Sequence, residues 1–297
     1  MTRSPAPALW PKIVERTQSA LACGALESIA THYEWVNDGE VQFLVRIVDN
    51  IRRKVEARKA QTAKGPDCNP FLPYEEDLFV ADLSPTHVAI LNKFNVVDHH
   101  LLIITRHFES QETLLTRSDF AALWVAMAEI DGLAFYNGGR LAGASQPHKH
   151  LQLVPLPFLP DDPHPHARLP IEPTILAALP ESGVGQAAAL PFQHAIVRLN
   201  LMAGDAITQI QSAYHAALLA CNIAIGDGEQ ASPASGAYNL LITRNWLFLV
   251  PRSQDGVGRI GINALGFAGA LLVKNAEQLA ALKTQRPLQL LAQVGMP

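Results

Sequence analysis

The segment "GASQPHKHLQLVPL" (143–156) sets two imidazoles and a side-chain amide, His148, His150 and Gln152, at alternate positions. In an extended strand successive side chains point to opposite faces, so these three share one face while Lys149, Leu151 and Leu153 take the other. Such a face is a costly way to build plain core, because every buried polar group needs a partner. The chain just before it, "GRLAGASQP", has the composition of a tight loop. Gly143 would let the backbone approach a ligand closely, turn N–H groups can cradle phosphate oxygens, and Ser145 and Gln146 add donors. A phosphate loop followed by a histidine pair suggests phosphoryl or nucleotidyl transfer. Imidazole titrates near pH ~6.5, so much of it is neutral and nucleophilic around neutrality. A carbonyl holding Nδ1–H presents Nε2 for attack on phosphorus, and a covalent route splits one hard displacement into two easier ones. Two other readings fit the same residues. His148 and His150 could join His164 and His166 of "DDPHPH" around a metal, or the strand could carry satisfied structural histidines. "DHH" (98–100) reads as a turn leading into a strand.

The elements that must position this face follow from periodicity and punctuation. Leu9, Trp10, Ile13, Val14, Thr17 and Leu21 fit one face of a helix over 9–22. "VQFLVRIVDNI" (41–51) is rich in β-branched residues and reads as a strand, running into a basic patch of Arg52, Arg53, Lys54, Arg58 and Lys59. Residues 63–78 form a loop by their Pro, Gly and Asn content, and strands follow at 86–94 and 99–106. Phe120, Leu123, Trp124, Met127 and Ile130 define a helix over 118–131, with Ser118 as N-cap and Gly132 ending it. From Pro155 to Pro191 repeated prolines predict a long connection with one short helix. A helix at 201–223, two strands around Asn245 within 238–253, a segment rich in small residues at 262–275 and a short helix at 276–283 complete the chain.

The 297 residues suffice for a large domain or two small ones, and 48% hydrophobic with 17% charged residues is ordinary globular composition. A net charge of −4 argues against a general nucleic-acid or anionic-membrane partner. No apolar run approaches the ~20 residues of a membrane span, and the first residues lack the apolar core of a signal peptide. Cys23, Cys68 and Cys221 are odd in number and widely spaced, which favours free thiols and a reducing cytoplasm.

The longer strings "NPFLPYEEDLFVADLSPTHVAILNKFNVVDHHLLIITRHFE" and "GLAFYNGGRLAGASQPHKHLQ" resemble the ATP adenylyltransferase family, the diadenosine tetraphosphate phosphorylases of the histidine-triad superfamily, on the galactose-1-phosphate uridylyltransferase branch. The resemblance runs over about 40–160 and resumes at "YNLLITRNWLFLVPRS" and "INALGFAGALLVKN". It implies an α+β fold of histidine-triad type, with a mostly antiparallel sheet and packed helices. It also implies reversible phosphorolysis of diadenosine tetraphosphate to ADP and ATP through an adenylylated histidine. By resemblance His150 is the nucleophile, His148 supports it, and Gln152, standing where histidine-triad hydrolases carry a third histidine, bonds the phosphoryl group. An amide cannot shuttle protons, which suits an intermediate passed to phosphate instead of water.

The same resemblance assigns Lys54 to the phosphate chain, Asn92 and Lys93 to the nucleotide, and Asn137 with Gly143, Ala144, Ser145 and Gln146 to ribose and phosphates. Gly261, Ile262, Asn263 and Lys274 correspond to ligand-contacting positions, and Ala270 departs from a larger Met common in the family. A divalent cation, Mg²⁺ or similar, is expected to enter with the nucleotide, with no protein metal cage. The organisation expected is an N-terminal part (1–160), a Pro-rich connection (161–195) and a C-terminal part (196–297) completing the nucleotide site in one compact unit. A hydrolase releasing AMP, a sugar-phosphate nucleotidyltransferase on the same fold and a non-catalytic nucleotide sensor are the rival readings. The helix at 118–131 should pack behind the strand bearing His150.

Overall fold

In the computed structural model, residues 8–48, 69–162, 168–226 and 228–297 are described. Lys54 with its basic neighbours, Cys68, His164 and His166 lie outside these residues. In chain order the elements are α1 (Leu9–Cys23), β1 (Thr31–Asp38), β2 (Val41–Val48), β3 (Phe79–Asp82), β4 (His87–Leu91), β5 (Leu101–Thr105), α2 (Arg117–Glu129), β6 (Gly132–Gly138) and β7 (His150–Pro155). Then come α3 (Glu172–Ala177), β8 (Val184–Gly185), β9 (Ala195–Arg198), α4 (Ala206–Ala220), β10 (Tyr238–Ile242), β11 (Trp246–Pro251), β12 (Gly256–Val257) and β13 (Ile260–Gly261). The last four are α5 (Ala264–Phe267), β14 (Ala270–Val273), α6 (Ala276–Gln285) and α7 (Pro287–Val294).

Among the described residues β7 lies inside a nine-stranded sheet of order β3-β4-β5-β7-β6-β10-β11-β9-β8. Every neighbouring pair in it is antiparallel. The bond between β6 and β10 carries one sheet across both halves of the sequence. A smaller sheet joins β1, β2 and β14, with β14 parallel to β2, so the far end of the chain completes a sheet begun near its start. The expected α+β architecture, antiparallel sheet with packed helices, is the one observed.

Alternation along the strands separates two cores. On one face Leu151, Leu153, Tyr136 and Leu240 meet Ile13 of α1, Phe120, Leu123 and Met127 of α2, and Ile210 and Leu218 of α4. On the other, Phe135, Val154, Trp246 and Phe248 meet Phe43 and Val45 of β2, Phe267 of α5 and Leu291 of α7. A small third cluster, Phe71, Val88, Ile90, Leu102 and Ile104, covers the β4–β5 end. Helix α2 therefore does pack behind the strand that carries His150.

Several local expectations shift. The N-cap of α2 is Thr116, not Ser118: Asp119 closes a capping box by accepting the Thr116 N–H at 2.7 Å. Gly132 opens β6 and does not terminate α2; a Cβ there would stand 2.6 Å from the Val154 carbonyl oxygen. Helix α4 starts behind Asp205, whose carboxylate accepts from Ile207 and Thr208 N–H, five residues later than the periodicity predicts. On α1 the buried ridge is Leu9, Ile13, Thr17 and Ala20, so Trp10 and Leu21 stand exposed. The hairpin turning at Asn245 and the short helix of the Pro-rich connection, α3, are present as read. Strand β1, half-buried or exposed along nearly all its length, has no clean apolar alternation to announce it.

Candidate active site

Strand β7 begins at His150, which pairs with Ile104 of β5. On its other side the ladder with β6 stops at Phe135↔Gln152. Continued, that register would put Asn137 opposite His150. The amide of Gln111 fills this gap: its Oε1 accepts the His150 N–H at 2.8 Å, and its Nε2 donates to the carbonyls of Asn137 at 2.9 Å and His150 at 3.3 Å. The first residue of β7 is thus held as firmly as a residue in mid-ladder.

His150 Nδ1 lies 2.8 Å from the carbonyl oxygen of His148. A carbonyl only accepts, so Nδ1 carries the proton and a neutral ring keeps its lone pair on Nε2. Burial pushes the His150 pKa down to about 4, the His148 ring acting in the same direction and the carbonyl bond opposing it. The ring is therefore neutral near pH ~7, the form a nucleophile needs.

His148 is locked at both nitrogens. Its Nε2 donates to the Thr105 carbonyl at 2.8 Å, and its Nδ1 accepts from Asn69 Nδ2 at 2.8 Å. Burial lowers its pKa too. The Phe71 ring wedges edge-on against both histidines, with centroids 5.6 Å from His148 and 5.4 Å from His150. With neither nitrogen free, His148 contributes a rigid carbonyl that fixes the tautomer of its neighbour. His194 makes the contrast plain. It also donates Nδ1–H to the carbonyl two residues earlier, that of Phe192, but its Nε2 accepts the Ala187 N–H at 2.8 Å. No described residue bonds Nε2 of His150.

Gln152 is oriented from the far side of β5. The Phe94 N–H donates to Asn92 Oδ1, Asn92 Nδ2 donates to His100 Nδ1 at 3.1 Å, and His100 Nε2 donates to Gln152 Oε1 at 3.0 Å. Each donor–acceptor assignment forces the next, so the Gln152 amide keeps its NH₂ end available as a hydrogen-bond donor. Burial pushes the His100 pKa down to about 4. The turn expected at "DHH" is present and leads into β5, but that reading gives no hint that its last residue, His100, holds Gln152. The signal lies in pairing: Leu102 stands opposite Gln152 and Ile104 opposite His150, so His100 sits on the same face one step further. Gln111, Asn69 and Phe71 are likewise absent from the sequence-derived list.

The two loops expected to hold phosphate and ribose meet. Gly143 has φ +85°, and a Cβ there would stand 2.5 Å from the Ile262 carbonyl oxygen and 2.9 Å from Asn263 Cα. Gly143 thus permits a close approach of the 262–263 backbone, which brings the two loops together. Ala144 and Gln146 are half-buried, and Ser145 and Gly261 are exposed beside them in sequence. Ile262 is buried, and Asn263 caps α5 by accepting the Leu265 N–H at 3.0 Å. Asn137 uses its Oδ1 inside the protein, accepting from Asn239 Nδ2 and the Ala264 N–H, both at 2.9 Å.

The cations are placed differently. Lys93 makes two bonds to the Glu75 carboxylate, at 2.8 and 2.9 Å. Lys274 is exposed just past β14, whose Val273 pairs with Ile47 of β2. Ala270 pairs with Leu44 and packs on apolar core. Among the described residues no group of three or more His, Cys, Asp or Glu could hold a metal ion. Cys23 and Cys221 are free, and no described helix is long and apolar enough to cross a membrane.

Comparison with known proteins places this geometry. Residues 2–177 match the family model of the Ap4A phosphorylase N-terminal domain, and residues 188–297 match that of the ATP adenylyltransferase C-terminal domain. The diadenosine 5',5'''-P1,P4-tetraphosphate phosphorylase 2 of Saccharomyces cerevisiae is 30% identical, over 86% of this chain and 84% of that protein. Protein APA1 of the same yeast is 27% identical, over 93% and 89%. The crystal structure of yeast Ap4A phosphorylase Apa2 superposes with a TM-score of 0.78, covering 99% of this chain and 96% of that one at 24% identity. Its complex with Ap4A superposes with a TM-score of 0.73 at 23% identity, over 99% of both chains.

Proposed function

Because the chain belongs to the Ap4A phosphorylase and ATP adenylyltransferase family, we propose that it phosphorolyses diadenosine tetraphosphate, reversibly, to ADP and ATP through an adenylyl-His150 intermediate. The observation that carries the mechanism is the His150 ring, with Nδ1–H held by the His148 carbonyl and Nε2 left to react. Nε2 attacks the α-phosphorus of one adenosine; the N–P bond forms as the bond to the bridging oxygen breaks, and ATP leaves. The positive charge that develops on the ring is met by the His148 carbonyl at Nδ1. The Gln152 NH₂ donates to a non-bridging oxygen as negative charge gathers there, and does so without reorganisation because His100 already fixes it. Inorganic phosphate then attacks the adenylyl phosphorus, giving ADP and returning His150. Among the described residues, burial keeps His100 and His150 neutral near pH ~7 and the Gln152 amide cannot relay a proton, which favours phosphate as the acceptor over a hydrolase releasing AMP.

In this reading the Gly143–Gln146 loop and the Gly261–Asn263 segment hold ribose and phosphates, and the C-terminal part completes the pocket. Asn92 acts through His100. Lys93 exchanges Glu75 for a phosphate oxygen, and Lys54 and Lys274 offset the rest of the polyphosphate charge. Asn137 aligns the pocket more than it grips the ligand. Mg²⁺ or another divalent cation arrives with the nucleotide, and the free thiols fit a cytoplasmic protein. The test is a product assay with diadenosine tetraphosphate and Mg²⁺, with and without phosphate. ADP plus ATP, formed only with phosphate, is expected. AMP plus ATP in both tubes would make the protein a hydrolase, and no product would favour a sensor. His150→Ala should abolish turnover and leave nucleotide binding largely intact.

A further inference from the structure

Between the C-terminal loops and His150 runs a chain of buried hydrogen bonds through the side chains of Arg252, Asn239 and Gln111 and through both the side chain and the backbone carbonyl of Asn137. Arg252 Nη1 donates to Asn239 Oδ1. Asn239 Nδ2 donates to Asn137 Oδ1 at 2.9 Å, the Asn137 carbonyl accepts from Gln111 Nε2 at 2.9 Å, and Gln111 Oε1 accepts the His150 N–H at 2.8 Å. All four residues between solvent and His150 are 3% exposed or less. Three of the four residues, Arg252, Asn239 and Asn137, also branch to the 142 and 262–264 segments. Arg252 also donates to the Ile262 carbonyl at 3.0 Å and to the Ala142 carbonyl at 3.3 Å. Asn239 Nδ2 shares the Ala142 carbonyl at 2.8 Å, and Asn137 Oδ1 accepts the Ala264 N–H at 2.9 Å.

This arrangement is more than a set of satisfied polar groups. The five acceptors of Arg252 are four backbone carbonyls and one side-chain amide, with no carboxylate in ion-pair contact among the described residues. A guanidinium so placed is held by its planar fork on the carbonyls of Ala142, Gln254, Ile262 and Val294 and by the Phe267 ring 5.2 Å away. Burial lowers its pKa to about 10, and it stays charged at neutrality. A fully bonded buried network has one low-energy arrangement, since breaking any link strands a donor or acceptor away from water. The loops at 140–143 and 262–264 therefore cannot shift against the first residue of β7 without breaking it.

We propose that Arg252, Asn239 and Gln111 are positioning residues that set the register between the nucleotide-holding loops and the His150 nucleophile. None touches substrate. Their function is to keep the α-phosphorus in line with Nε2 once the loops have bound the nucleotide, where a misplacement of about 1 Å costs about a hundredfold in rate. The inference rests on the phosphorolysis reading for its kinetic consequence, but the mechanical coupling stands apart from it.

The experiment compares Asn239→Leu, a near-isosteric apolar change, and Arg252→Lys, which keeps the charge and loses the fork, with the unaltered protein. Three quantities are read on the folded full-length chain: kcat per active site titrated by adenylylation, AMP affinity by calorimetry, and hydrogen exchange of the His150 amide. Expected for Asn239→Leu are a kcat at least about tenfold lower, AMP affinity within about threefold, and faster exchange at His150, with Arg252→Lys intermediate. A merely structural role would lower the melting temperature and the titrated fraction while leaving kcat per titrated site and His150 exchange unchanged, and that result overturns the proposal. So does a parallel loss of affinity and kcat. If Asn239→Leu does not fold, Arg252→Lys decides alone. If the unaltered protein does not turn over diadenosine tetraphosphate, the functional reading fails, and His150 exchange in the variants still decides the coupling.

Discussion

Replacing His100 with Leu gives a sharp test of how Gln152 works. His100 donates to Gln152 Oε1 at 3.0 Å and accepts from Asn92 at 3.1 Å, so His100→Leu removes the bond that, among the described residues, orients the amide while leaving the amide itself. A neutral buried hydrogen bond contributes about 1 kcal/mol net, so adenylylation should slow about five- to tenfold with little change in substrate affinity. Deleting the donor outright is larger: Gln152→Leu should cost about a hundred- to a thousandfold, as loss of one oxyanion donor does. The double variant separates the routes. If His100 acts only through Gln152, His100→Leu added to Gln152→Leu should slow the reaction by less than about twofold, a clear departure from additivity. Rapid-quench measurement of adenylyl-enzyme formation, with phosphate omitted, reads this step directly. An equal five- to tenfold loss in both backgrounds would mean that His100 acts independently of Gln152. No loss in the native background would mean the amide holds its orientation without His100. Either result refutes the relay.

Three further outcomes follow from the same geometry. His150 and His100 both have pKa values of about 4 in the fold against an ordinary value near 6.5, so the unfolded chain takes up protons first as pH falls; their contribution to stability is whole above about 6.5 and is lost progressively towards 4. The melting temperature should drop across that window, less steeply in His100→Leu, while adenylylation stays flat from pH 8 to about 5 as far as these groups govern it. Lys149, fully buried on the opposite face of β7, bonds Asp119 at 2.8 Å and Glu109 at 3.1 Å. Lys149→Met would leave Asp119 buried with only His87 and Thr116 as partners, costing about 3–5 kcal/mol in denaturant unfolding. In Gly143→Ala, the Cβ would collide with the Ile262 carbonyl at a φ that disfavours alanine, so AMP affinity should fall about tenfold or more as the two loops part.

What the sequence discloses and what it hides divide along contact distance. The alternation of His148, His150 and Gln152 is local and is visible in five letters of sequence; the apolar stripe of α2 and the turn at Asn245 are local too. The capping of α2 is local as well, yet Ser118 and Thr116 are equally good caps in composition. Only the reciprocal bond from Asp119, three residues past Thr116, selects the latter. The partners of the proposed catalytic face are another matter. His100 is 52 positions from Gln152 and Gln111 is 39 from His150, and both contacts exist because of the β5–β7 register and the gap where β6 and β7 part. Single-sequence periodicity carries no information on either. Asn137 is the instructive intermediate: its position was legible, while its use of Oδ1 to join Asn239 and α5 was not.

His194 shows why this division matters for reading a nucleophile. Its ring sits in the same local frame as that of His150, Nδ1–H on a carbonyl two residues back, at the same 2.8 Å. Burial lowers both pKa values. By ring geometry and burial the two are alike, although His194 lacks the H-x-H-x-Q spacing. What separates them is a backbone N–H, that of Ala187, which occupies Nε2 of His194. The nucleophilic role proposed for His150 therefore rests on what the described residues withhold from Nε2, while the contacts with Gln111, His148 and Phe71 hold the ring in place.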